Sequence, residues 1–74
     1  MTDTRVLQVG KRIRQLRLER GLSQEMLAAT ADLDRSYMGQ VERGEKNITL
    51  KNVFKIADAL EVEPYLFFTI NKKK

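Results

Sequence analysis

Residues 21–47 read GLSQEMLAATADLDRSYMGQVERGEKN, and the fold turns on this stretch. Ser23 is a good N-cap, since its hydroxyl can accept from an amide of the following turn, and Glu25 adds a carboxylate where the helix dipole favours one. Leu27, Ala28 and Ala31 give the short helix from Gln24 to about Asp32 its apolar side. Asp34 then caps another, roughly Arg35 to Arg43, closed by Gly44 where a left-handed residue is cheapest. With Leu33, Met38 and Val41, the apolar positions let the two helices cross steeply around one small core. Ala28 is small enough for close approach.

The same punctuation extends outward. Val6, Val9, Ile13 and Leu16 recur at helical spacing with arginines on the opposite face, which predicts an amphipathic helix over residues 4–20, ended by Gly21. After a polar loop from Glu45 to Ile48, Thr49 caps a fourth helix in which Leu50, Val53, Ile56, Ala57 and Leu60 mark the buried face. Glu63-Pro64 opens a fifth, with proline at the first position, where no amide donor is needed. Tyr65, Leu66, Phe67, Phe68 and Ile70 follow. No segment alternates with period two, so the expected class is all-α, with residues 1–74 forming a single domain and 71–74 a basic tail.

Composition narrows function. The chain has 74 residues, 42% of them apolar and 32% charged, with neither cysteine nor histidine. Disulfides, thiolate metal sites and cysteine nucleophiles are excluded, and the commonest metal ligand and general base is missing too. An enzyme is therefore the weakest reading, and no cofactor, metal or small-molecule ligand is expected. No run approaches the roughly 20 apolar residues of a membrane span, and MTDTRVLQ lacks a signal-like apolar stretch. A soluble, cytoplasmic protein without a membrane partner is predicted. The net charge of +4 is unevenly spread, with Arg5, Lys11, Arg12, Arg14, Arg17 and Arg20 against the single acid Glu19. That basic patch suits a polyanion, and an ordinary solvated helix face accounts for it equally well.

The segment from Arg35 onward is more specific. At about 100° per residue, Arg35, Ser36, Gly39, Gln40 and Arg43 fall within one arc of roughly 140°, while Met38 and Val41 point the other way. The outward arc offers a guanidinium, a hydroxyl and an amide around a glycine that lets backbone come close. Arginine pairs bidentately with guanine O6/N7 and glutamine with adenine N6/N7, whereas a merely solvated face is usually richer in Lys and Glu.

At these residues the sequence resembles the phage-repressor-like (Cro/CI, XRE) helix-turn-helix regulators, through SQEMLA, SYMGQVERG and KIADALEVEP in that order. The likeness runs from about Val9 to Leu66. DRSYMGQVERGEKN and the late Phe67-Phe68 pair look most like the small controller proteins of restriction-modification systems. The resemblance implies a compact five-helix domain of the lambda-repressor-like type, with its motif at about residues 24–43 and the helix Arg35–Arg43 in the major groove of double-stranded DNA. Arg35, Ser36, Tyr37, Gly39 and Gln40 would then face bases. Gln24 would meet a phosphate at the start of the preceding helix, and Arg43, Lys46 and Asn47 would clamp further phosphates. Glu42 sits near a helix C-terminus, where the dipole disfavours a carboxylate and calls for a cation. The resemblance points to Arg17, giving a buried or half-buried pair that fixes the first helix to the third, with Arg17 on phosphate alone as the alternative. Where related turns commonly carry glycine, this chain has Asp32, which tolerates left-handed backbone less freely.

The late aromatic cluster is too dense for so small a domain to bury entirely. Leu66 is assigned to the chain's own core, and Phe67, Phe68 or both to a symmetric homodimer contact. The resemblance implies a sequence-specific transcription regulator on a pseudo-palindromic operator, activating at low occupancy and repressing as more sites fill, with RNA polymerase a further candidate partner. A phage-type repressor, an antitoxin-like autoregulator and a helical protein-interaction module are the alternatives.

Overall fold

The computed structural model describes residues 3–69. Four α-helices, α1 (Thr4–Glu19), α2 (Gln24–Ala31), α3 (Arg35–Glu42) and α4 (Leu50–Leu60), are followed by a 3₁₀ helix (Pro64–Phe68). No strand occurs among the described residues. Ile70 and Lys72, Lys73 and Lys74, assigned above to the apolar cluster and the basic tail, lie outside them.

Each α-helix starts on an oxygen-bearing side chain. Ser23 Oγ accepts from Met26 N at 3.0 Å, Asp34 Oδ2 from Tyr37 N at 3.3 Å and Thr49 Oγ1 from Asn52 N at 3.2 Å. Asp3, which the pattern had not singled out, caps α1 by accepting from Arg5 N at 2.8 Å. The helices end on left-handed non-glycine residues as often as on left-handed glycine. Asp32 (φ 58°) and Glu61 (φ 59°) take the conformation that Gly21 and Gly44 adopt more cheaply. At Asp32 this lets Leu33 N donate back to Ala28 O at 2.8 Å and turns the chain from α2 into α3.

The core joins Ile13 and Leu16 of α1, Leu27, Ala28 and Ala31 of α2, Met38 and Val41 of α3, Val53, Ile56, Ala57 and Leu60 of α4, and Phe67. α2 packs on α3 and α4, while α1 packs on α3 and on the 3₁₀ helix. Where α1 crosses α3 the helices touch through backbone. A Cβ added to Gly10 would collide with Val41 O and stand 2.7 Å from Glu42 O.

Three expectations are corrected here. The last element is 3₁₀ and not α, because it is a five-residue piece with proline at its start and no side-chain cap at Glu63, and short connectors favour the tighter turn. Leu50 is not part of the buried face but 70% exposed; it has the right helical phase, yet it is the first residue of α4 and overhangs the core. Phe67 is 1% exposed, inside its own chain's core, and has no free surface to give a second copy, whereas its neighbour Phe68 is 51% exposed.

Candidate nucleic-acid interface

The outer face of α3 is built from beneath. Met38 and Val41 anchor its inner side in the core, and Glu42 locks its last turn. Glu42 Oε2 accepts from Arg17 Nε at 2.7 Å and Oε1 from Arg17 Nη2 at 3.0 Å, both side chains being buried. Arg17 Nη1 also donates to Leu22 O at 2.8 Å, so one guanidinium ties α1, the α1–α2 turn and α3 together. The expected pair is therefore present, fully enclosed and bidentate. Two charges buried this way hold only when their remaining donors and acceptors are satisfied, and among the described residues no buried side-chain nitrogen or oxygen lacks a partner.

Gln24 Nε2 donates to the same Glu42 Oε1 at 3.0 Å. Since a carboxylate only accepts, this bond sets which way the amide faces: one N–H is bound inward, and Oε1 lies against α3, 3.5 Å from the point where a Gly39 Cβ would stand. Arg43 Nη1 covers the same point at 3.1 Å. Gly39 is thus buried under two side chains, and its lack of a side chain gives them room instead of exposing bare backbone. Arg35, Ser36, Gln40, Gln24, Gly39 and Arg43 together line one shallow, mostly polar concavity. Arg35 and Ser36 are exposed and Gln40 half-exposed. An α-helix with its side chains is about 10–12 Å across, which fits the roughly 12 Å width of the major groove.

Tyr37 lies half-buried against the core, and its hydroxyl accepts from Asn52 Nδ2 at 3.0 Å, bracing α3 on α4. Asn52 escaped the sequence reading, since nothing local marks a partner 15 residues away. Lys46 and Asn47 are exposed but do not join the α3 concavity. They line a second, largely apolar cleft with Val6, Val9, Ile48 and Phe68. Phe54, 53% exposed and one turn beyond Leu50 on the same flank of α4, is a further apolar residue that the pattern overlooked.

The basic patch of α1 is largely occupied by structure. Besides Arg17, Arg12 Nε donates to Leu66 O at 3.0 Å, Arg20 Nη2 to Glu61 O at 3.3 Å, and Arg5 pairs with Asp3 at 3.0 Å. Lys11 and Arg14 remain exposed to solvent. In the loop after α3, Arg43 Nε donates to Glu45 Oε2 at 3.0 Å and Nη2 to Oε1 at 3.2 Å. Hydrogen bonding from Arg43 holds the Glu45 carboxyl below its ordinary pKa.

Two short helices crossing on a shared core, the second displaying arginine, serine and glutamine outward, define a helix-turn-helix DNA-binding regulator. A helix-turn-helix family model matches residues 13–67. Control protein C.BamHI of Bacillus amyloliquefaciens is 45% identical over 65 residues, covering 86% of this chain and 80% of that protein. C.MunI of a Mycoplasma species is 39% identical over 99% of this chain and all of its own length. The crystal structure of the restriction-modification controller protein C.AhdI from Aeromonas hydrophila superposes with a TM-score of 0.88 at 48% identity, over 89% of this chain and 100% of that one. The chain belongs to the helix-turn-helix family, and within it to the control proteins of restriction-modification systems. These are DNA-binding transcription regulators, not enzymes.

Proposed function

We propose that the protein acts as a cytoplasmic homodimer on a pseudo-palindromic operator, as a single domain, with Arg35, Ser36 and Gln40 reading base edges and Tyr37 and Gly39 shaping the surface between them. The observation that carries the reading is the outer face of α3, where these donors and acceptors project around a glycine instead of the Lys and Glu of a solvated helix. Gln24, Arg43, Lys46 and Asn47 hold phosphates on either side. Gln24 brings its second amide N–H to that task, the first being held by Glu42. Phe68, 51% exposed, supplies the dimer contact. Control of a restriction-modification system is what the relatives' names support; within it we infer action on a restriction endonuclease gene, activating at low occupancy and repressing at higher occupancy, with RNA polymerase the partner through which activation would act.

Selection of bound sequences from random duplex DNA tests this directly, and an inverted repeat should emerge. Affinity for the selected site should fall with log salt by about 0.9 per phosphate neutralised. No enriched sequence, or an affinity indifferent to salt, would sink the reading.

A further inference from the structure

Glu45 has no part in the function proposed above, yet it makes the best-formed polar contact on the outer rim of α3. Its two oxygens take the Nε/Nη2 edge of Arg43 at 3.0 and 3.2 Å. That paired geometry is the one a guanidinium also makes with the two non-bridging oxygens of a phosphodiester, which likewise carries a single negative charge. The backbone that carries the carboxylate is fixed. Gly44 turns at φ 75°, and Glu45 N donates to Gln40 O at 2.8 Å, so the residue after the turn is pinned to α3. Burial does not enforce the pairing, because the two side chains are 58% and 53% exposed. An exposed pair of this kind is weak enough to be exchanged for another anion.

Resting on the DNA-binding reading of this face, we propose that Glu45 is an affinity-setting residue, whose carboxylate occupies the edge of Arg43 that a DNA phosphate takes in the complex. Binding then exchanges one oxyanion for another at Arg43 and gains less than a vacant guanidinium would. Phosphate contacts carry no sequence information, so the exchange lowers affinity for operator and non-operator DNA alike. It shortens residence on the large excess of non-operator sequence.

The test is Glu45→Gln in the full chain, alone and in an Arg43→Gln background, with affinities measured for the selected operator and for a random duplex of equal length. Both residues are exposed, and circular dichroism checks that each variant is folded. In the Arg43 background, Glu45→Gln should raise both affinities by about two- to tenfold, leaving their ratio unchanged. In the Arg43→Gln background the gain should disappear. An unchanged affinity overturns the proposal, and so does an equal gain without Arg43, which would mean simple repulsion between Glu45 and the duplex. A loss confined to the operator also overturns it, because Glu45 would then be bracing Arg43 against a base. If the unsubstituted protein binds no duplex at all, the DNA-binding reading itself fails, a result distinct from all of these.

Discussion

Arg35 and Lys46 carry the same charge, yet their placement separates them. Arg35 is the first residue of α3 and lines its concavity, whereas Lys46 lies beyond the helix on the rim of another cleft. Arg35→Ala should remove about 1 to 3 kcal/mol of binding at one base pair per half-site, while Lys46→Ala weakens all sequences more evenly. Competition titrations against single-base operator variants distinguish the two. Glu42 acts from below the surface. Glu42→Leu leaves the Arg17 guanidinium buried without its partner and should cost about 3 to 5 kcal/mol of stability, whereas Arg17→Met combined with Glu42→Leu should recover most of it. Urea unfolding of the single and double variants reads this out. If the double variant is as unstable as the single, the cost lies in packing and not in the stranded charge. Phe67 and Phe68 make the sharpest residue-level contrast, because sequence gives two identical neighbours and no way to rank them. Which ring faces inward depends on how the last helical turn docks on α1, a tertiary fact.

Among the elements, the helix boundaries were readable because they are local chemistry. Ser23, Asp34 and Thr49 cap within three residues of themselves, and the left-handed residue at Asp32 follows from the sharpness of the turn. What connects elements was less readable. The arginines of α1 announced a charge, but not that Arg12 and Arg20 reach carbonyls 54 and 41 residues away. Leu50 has the correct phase and the wrong neighbourhood, and Gly10 gave no signal, since a glycine within a helix normally just weakens it. Here it permits the α1–α3 crossing. Gly→Ala in an unencumbered helix gains roughly 0.5 to 1 kcal/mol, but Gly10→Ala should lose about 1 to 3 kcal/mol because its methyl group meets the backbone of α3. A thermal melt gives the sign, and a raised midpoint would show that the crossing has slack.

At the scale of the whole molecule, one short recognition helix reads few bases, and a twofold pair set about 34 Å apart on the duplex reads twice as many. Phe68→Ser should therefore leave each subunit folded but shift sedimentation equilibrium toward monomer and weaken operator binding. Phe67→Ala, by contrast, should cost about 3 to 5 kcal/mol of folding stability. A wild-type chain monomeric at tens of micromolar would remove both the contact and the expected symmetry of the operator. The contact of the 3₁₀ helix with α1, fastened by Arg12 on Leu66 O and by Phe67 in the core, bears finally on synthesis. A nascent chain that has emerged only as far as Val62 already contains the entire recognition motif but not the residues that close the core around it. At 5 to 20 residues added per second, that interval is under a second or so. During it the polypeptide carries the residues that face DNA without the contacts that close the core beneath them, and a message broken or stopped short of Phe67 should yield only a weak competitor for the operator.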